Sequence, residues 1–339
     1  MRMGSRYKMQ QKVAKISKVL GITNLFYILN RNRKKIVCFH NIIPDEYFGD
    51  YLYLDFSTKE SSFKKQIEII KQKFDVGLDI YDNNQLTITF DDGYLNQYSI
   101  ASKIMDKKNI KGYFFYAANL LEKQNTLYID KIQYWITHVP YGIYENDKFG
   151  IRLEINNPED RRIQWKKINN LIENKESMNK IHDLLDEMYP FNSIKIKEEF
   201  YNLRFNPITK ANLTMMKNKG HKIGAHSASH EILSNLSKQQ LEEDINMCVS
   251  LLSDIYNTKT FCYPYGSEKE VSEVVINLIQ SKGFDKALSF INYLPNNKKF
   301  NNYFIPRMAI PDTDDEYVIE FVLSGAKYFL QNGKLLPKF

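Results

Sequence analysis

Apolar positions along the chain fall into two alternating patterns. Short runs rich in β-branched and aromatic residues at 36–42, 86–90, 112–116, 222–225, 260–263, 287–290 and 304–310 predict strands. Between them, 63–74, 100–108, 238–256, 271–282 and 315–330 repeat apolar residues every three to four positions, as helices covering a sheet do. This alternation predicts an α/β fold on a mainly parallel sheet. The stretch 119–204 interrupts it. Rich in Asn, Lys, Glu and Ile, with helical patterns at 163–173 and 178–188, it reads as an inserted helical subdomain, placed in a loop where it can shape a substrate cleft. The chain thus divides into a segment 1–35, a main domain made of 36–118 and 205–330, and the insertion 119–204.

The N-terminal segment has a pattern of its own. Met9, Val13, Ile16 and Leu20 recur at helical spacing beside Lys8, Lys12, Lys15 and Lys18. Such a helix suits an anionic membrane surface, or packs its apolar stripe on the main domain. The most apolar stretch, 22–29, is interrupted by Thr23 and Asn24 and falls far short of the ~20 apolar residues of a spanning helix. The expectation is a cytoplasmic protein without signal peptide or span, with peripheral attachment to the inner face of the membrane through 1–35 as an added option.

Charge sharpens this division. The formal net charge is +7, yet residues 1–44 carry ten Lys and Arg and no acid, leaving 37 basic against 40 acidic residues in the rest. A slightly acidic body argues against nucleic acid as a partner. The three cysteines, Cys38, Cys248 and Cys262, lie far apart and form no CxxC, so neither a disulfide framework nor a thiolate zinc site is expected, and a reducing compartment fits.

Three segments at predicted strand ends carry candidate chemistry. Thr89-Phe90-Asp91-Asp92-Gly93 delivers two adjacent carboxylates, whose side chains diverge on an extended chain, so one can hold a metal while the other faces the attacking water. His226-Ser227-Ala228-Ser229-His230 places two imidazoles where a strand gives way to a turn, and imidazole with carboxylate suits Zn²⁺ or another late divalent ion. Phe261-Cys262-Tyr263-Pro264-Tyr265-Gly266 is a turn able to present a backbone N–H. Each has a plainer reading alone: an Asp-Gly turn, structural histidines, a proline corner.

In order, the three segments resemble the polysaccharide deacetylase family, carbohydrate esterase family four, with its T-F-D-D-G, H-S-x-x-H and proline-tyrosine-glycine motifs. The resemblance spans roughly 36–118 and 205–312 and implies a distorted (β/α) barrel of the NodB-homology type. It implies one divalent metal ion, with zinc the leading candidate, held by Asp92, His226 and His230, with Asp91 as general base and the Tyr265 N–H in the oxyanion site. Two positions depart from the pattern. Where many members carry an Arg that contacts the base, this chain has Cys262; Arg307, in Ile305-Pro306-Arg307, resembles a P-R segment of some members and could supply that cation. The late Leu-x-His motif is missing, since no histidine follows His230. The run 36–42 resembles instead the first strand of the circularly permuted branch, which includes poly-N-acetylglucosamine deacetylases, and makes His40 the candidate general acid. His138, His182 and His221 match no motif and are read as structural or solvated.

The resemblance implies a metal-dependent hydrolase removing an N-acetyl or similar N-acyl group from an amino sugar in surface glycan biosynthesis, on a glycan or a lipid-linked or nucleotide-linked intermediate. N-deformylation is the enzymatic alternative. A catalytically inactive glycan-binding module on the same barrel is the alternative of another class.

Overall fold

The computed structural model describes residues 2–48, 56–80, 82–123, 126–174, 176–195, 198–291 and 302–336; the side chains of residues 1–6, Arg2 and Arg6 among them, lie outside the description. Seven strands form the central sheet: β1 Lys35–Phe39, β2 Gln85–Phe90, β3 Tyr113–Tyr116, β4 Lys222–Ala225, β5 Thr260–Cys262, β6 Lys286–Leu288 and β7 Met308–Ala309. All pair in parallel, in the order β6-β5-β4-β3-β2-β1-β7, with a short strand Asp75–Val76 added against β2. Their near-continuous apolar character follows from burial on both faces.

The sheet closes on itself through a single segment. Met308 of β7 pairs with Val37 of β1, and Ile305, three residues earlier, bridges Leu288 of β6. A distorted (β/α) barrel results, as the sequence predicts. Register then aligns the strand exits. Phe39 lies opposite Phe90, so the chain leaves β1 and β2 side by side as His40 and Asp91. Ala225 lies opposite both Tyr116 and Phe261, which brings His226 out beside them.

Four local differences from the sequence reading have physical causes. The run 36–42 is not one strand: the chain leaves the barrel after Phe39, and Asn41–Ile43 pairs instead with Ser57–Lys59. The helix at 100–108 opens as a π-helical stretch, Gln97–Ser102, where Gln97 Nε2 donates to the carbonyls of His40 and Asp91 and ties both strand exits together. The helix at 315–330 is two, Glu316–Leu323 and Ala326–Asn332, broken at Gly325 (φ 82°), where a Cβ would meet Asn30 and Leu336. The insertion is not purely helical, since Gly142–Asn146 and Ile151–Ile155 form an antiparallel hairpin.

Two main apolar clusters occur. The larger lies between the outward faces of the strands and the covering helices, while the alternate strand positions Ile36, Tyr113, Phe115, Cys262, Leu288 and Ile305 form a small separate cluster inside the barrel. A second gathers Ile132, Trp135, Leu153, Ile168, Leu185, Phe200 and neighbours from 132–205, with Ile232 of the barrel at its edge.

Candidate active site

All the motif residues converge at the C-terminal ends of the strands, where functional groups of (β/α) barrels gather. His40, Asp91, Asp92, His226, His230 and Tyr265 line one cavity of about 290 Å³, with Phe56 and Phe290 on one side and Asp130 on the other. Arg307 stands behind Asp91. A larger cavity of about 460 Å³ is lined by residues between Thr126 and Phe205; it holds none of the motif residues but shares Asp130 as a wall.

Backbone strain concentrates here. Among the described residues six non-glycines have positive φ, and five of them, Phe56, Asp92, Ser227, His230 and Tyr265, sit at or beside this cavity. Each costs about 1–3 kcal/mol and persists only where the surroundings over-determine it. The turns leave no alternative. A Cβ on Gly93 would stand 2.3 Å from the Tyr116 ring, and one on Gly266 2.6 Å from the Phe290 backbone nitrogen. The His226–His230 loop is pinned by Asp244, which accepts from the backbone N–H groups of Ala228 and Ser229 at 2.9 Å each, while Ser227 Oγ accepts from the His230 N–H.

Asp92, His226 and His230 form a buried triad. Asp92 Oδ1 lies 3.3 Å from His226 Nε2 and 3.0 Å from His230 Nε2, and one ligand atom from each residue falls within 4.8 Å of the others. His226 Nδ1 donates to the Cys262 carbonyl at 2.8 Å, which fixes the tautomer and leaves the Nε2 lone pair facing Asp92. His230 Nδ1 is a buried polar atom without a partner among the described residues. One carboxylate and two imidazoles, buried and convergent on an open cavity, fit a catalytic divalent site. Burial would raise the Asp92 carboxyl, but His230 and His226 hold it well below the carboxylate range. Burial lowers His230, yet Asp92 raises it above the ordinary imidazole value. Protons therefore compete with an ion for this site, and affinity for the ion falls as pH falls.

Asp91 is gripped from behind. Arg307 donates Nη1 to Oδ1 at 2.7 Å and Nη2 to Oδ2 at 2.6 Å, a bidentate pair, while its Nε donates to the Ser289 carbonyl. Arg307 is thus fully buried rather than a surface residue at a strand start. The thiols of Cys38 and Cys262 approach Oδ2 and Oδ1 at 3.5 and 3.4 Å. Burial alone would raise the Asp91 carboxyl; Arg307 overcomes this and holds it at about 2.

His40 Nε2 lies 3.8 Å from Asp91 Oδ2, beside the base rather than across the cavity from it, and packs against Phe56 and Phe290 with ring centroids at 5.0 and 5.4 Å. Burial lowers its pKa below the ordinary imidazole value. Tyr265 has a φ of 60°, and its hydroxyl reaches Met178 of the insertion at 3.3 Å.

The remaining histidines stay out of this cavity. His221 is buried under Phe114 and accepts from the Gly112 N–H, His138 meets the Tyr134 carbonyl within its own helix, and His182 stacks on Phe191 in the larger cavity. A cluster that the motifs do not include completes the wall: Asp130 accepts from Tyr94 Oη at 2.7 Å and pairs with Arg204 at 3.1 Å, all three buried. No spacing marks it, because its members come from the insertion and the barrel.

Residues 174–287 match the family model described as polysaccharide deacetylase, a stretch that contains His226, His230 and Tyr265 but not Asp91, Asp92, His40 or Arg307. No curated protein matches the chain at a significant level. Among solved structures, IcaB from Ammonifex degensii superposes with a TM-score of 0.51 at 13% identity, over 86% of this chain and 97% of that one. The Streptococcus pyogenes deacetylase PplD, in complex with acetate, gives 0.50 at 11%, over 86% and 98%. A Bacillus cereus polysaccharide deacetylase gives 0.50 at 12%, over 86% and 68%. At these identities the likeness is one of fold.

Proposed function

We propose that this chain, which carries a polysaccharide deacetylase domain on a NodB-type barrel, is a metal-dependent N-deacetylase of an amino sugar in a surface glycan or its lipid-linked or nucleotide-linked precursor. The supporting observation is the convergence of a buried Asp-His-His set, an ionised carboxylate and a further imidazole on one cavity. The fold division that accompanies this reading assigns 36–118 and 205–330 to the barrel and 119–204 to an insertion with its own apolar cluster.

A divalent ion held by Asp92, His226 and His230 would supply Lewis acidity toward the amide carbonyl and the attacking water. The chain's own groups supply the rest. Asp91, kept ionised by Arg307, takes the proton of the water. The N–H of Tyr265 donates to the oxygen that gains charge. His40 passes a proton to the departing sugar nitrogen, and besides the two ligand candidates it is the one imidazole lining the cavity. The adjoining cavity, with Tyr134, Phe191, Tyr201 and Phe205 in its walls, gives room for a neighbouring sugar against aromatic faces.

The test is release of acetate and of formate from N-acetylglucosamine oligomers and from nucleotide-linked and lipid-linked amino sugars, with the protein chelated and then reloaded with Zn²⁺ or Co²⁺. Metal-restored acetate release is expected. Formate release alone would convert the reading to a deformylase, and glycan binding without any acyl release would convert it to an inactive module.

His40→Ala is expected to keep the fold and the ion and to lose roughly 10²-fold in kcat. A general acid works while protonated, so wild-type kcat/KM should fall as pH rises through the His40 pKa, on the acid side of the usual imidazole value; the variant should lack that limb. Near-normal turnover with the limb intact would make His40 structural.

A further inference from the structure

We propose that the outer face of the two N-terminal helices is a docking surface for an anionic lipid bilayer. Helix α1, Arg2–Val19, lies along the helix Glu316–Leu323, with Tyr7 bonded to Thr313, Gln11 to Asp315 and Lys18 to Glu320. Its buried residues are small: Ala14 packs with Val318, Phe321 and Ala326, and Ser17 bonds Thr23 of the next helix. Helix α2, Ile22–Leu29, is anchored by Phe26, which packs on Phe329. The apolar stripe is therefore not what holds these helices to the barrel, one of the two arrangements the sequence allows. Met9, Ile16 and Leu20 are 62, 57 and 68% exposed, and α2 continues the surface with Leu25 and Ile28 at 51 and 62%.

Single exposed aliphatics are ordinary; a run of them is not. Of the twenty large hydrophobic residues exposed among the described residues, nine fall between positions 9 and 29, on two consecutive helices. Water is a poor partner for such a face, so an occupant must be identified. Charge identifies it. Lys8, Lys12 and Lys15 are exposed, and each precedes Met9, Val13 or Ile16 by one residue, so cations border the stripe along its length. The stretch 1–44 has ten basic residues and no acid; Lys34 and Lys35 are buried and Lys18 pairs with Glu320, so Lys8, Lys12 and Lys15 carry the described charge of this face. A second copy of this chain would oppose that charge with the same charge. An anionic bilayer takes the apolar stripe into its headgroup and acyl boundary while its phosphates meet the lysines. Attachment is peripheral, since no described helix is long and apolar enough to cross a membrane.

The placement of α1 orients the docked protein. It begins beside Thr313, on the loop leaving the C-terminal end of β7, and ends beside Glu320, so the stripe runs down the barrel wall from the cleft rim. A bilayer on this wall lies beside the cleft mouth, which then opens along the membrane surface.

The full chain is tested by sedimentation with vesicles of phosphatidylcholine alone, and with vesicles in which about a third of the lipid is phosphatidylglycerol. Binding is expected to the anionic vesicles only, weakening at least about tenfold between low and high salt. The variant Ile16→Ser, Leu20→Ser, Leu25→Ser, Ile28→Ser should lose about tenfold or more in binding without a lower melting temperature, because these side chains are already in water. Lys8→Gln, Lys12→Gln, Lys15→Gln should weaken anionic binding and flatten its salt dependence. Equal partitioning onto both vesicle types, or wild-type partitioning by the serine variant, would overturn the proposal. So would a self-associated state, seen by analytical ultracentrifugation, that the serine substitutions abolish in a protein that ignores vesicles.

Discussion

Replacing both His226 and His230 by alanine is expected to reduce bound divalent metal from about one ion per chain to a small fraction, and to lower kcat/KM on the order of 10³-fold or more. Lewis-acid stabilisation is worth several kcal/mol, and each ~1.4 kcal/mol is tenfold in rate. The geometry behind the expectation is specific: both Nε2 atoms lie within 3.3 Å of Asp92 Oδ1, and the hydrogen bond from His226 Nδ1 to the Cys262 carbonyl makes Nε2 the ligand atom of the neutral imidazole. Elemental analysis reads the ion directly, independently of substrate. Full occupancy in the double variant would remove these histidines from the metal site, whatever the activity. In the wild type, occupancy should fall on acidification, since His230 binds its proton more tightly than a free imidazole does.

Arg307→Ala has the second largest expected effect, and it acts on stability and chemistry together. Removing the guanidinium leaves Asp91 buried and unpaired, a loss of about 3–5 kcal/mol by the usual cost of breaking a buried pair. The sign of the pH dependence then reverses. In the wild type Asp91 is depressed to about 2, so its contribution is fully present above the unfolded carboxyl value and is lost as pH falls through about 2. In the variant only the weaker pull of His226 and His40 still opposes burial, and the carboxyl is expected to rise above its unfolded value. The penalty therefore applies at neutral pH and shrinks as the pH falls and the carboxyl protonates. The catalytic consequence runs the other way: kcat/KM should acquire a new acid limb at the raised pKa, where the base loses its charge. Arg307→Lys should recover the stability in part but not the bidentate grip. Urea denaturation at two pH values and a kcat/KM profile measure both, and an unaltered acid limb in Arg307→Ala would show that Asp91 is not the base. Asp91→Asn is the complementary variant; it keeps the shape and the metal ligands, leaves Arg307 buried without its partner, and should lose nearly all turnover at full metal occupancy.

The strands and most covering helices were legible because each is a local pattern: the strand at 222–225 follows from its apolar run, and the helix Lys238–Leu252 from its periodicity after a Ser237–Gln240 capping box. The break at His40 was not, since Ile42 and Ile43 resume the apolar pattern of 36–39 beyond His40 and Asn41, and what pairs with them is a distant segment, Ser57–Lys59. The hairpin in the insertion did leave a signal, the alternation in Ile151-Arg152-Leu153-Glu154-Ile155, which the surrounding helical patterns obscured. At the site, the motifs named the residues, but contacts set their environment. Arg307 meets Asp91 across 216 residues of sequence, and the thiols of Cys38 and Cys262 fill the space beside it. The Asp130–Arg204–Tyr94 cluster carries no motif and follows only from the way the insertion folds back on the barrel.

The segment from Ile305 to Ala309 is both the last stave of the barrel and the carrier of Arg307. This stave joins β6 through one bridge and β1 through two paired residues, a short ladder on both sides, so it is expected to lift early when the protein is heated. When it lifts, the guanidinium leaves with it and Asp91 loses its counter-ion. Thermal inactivation should then precede the loss of helical circular dichroism, and amide exchange at Ile305, whose N–H bonds the Ala287 carbonyl, should track activity more closely than exchange in β3 or β4. With that outcome the barrel's closing joint would act as a fuse: a loosened molecule would be disarmed before it unfolds.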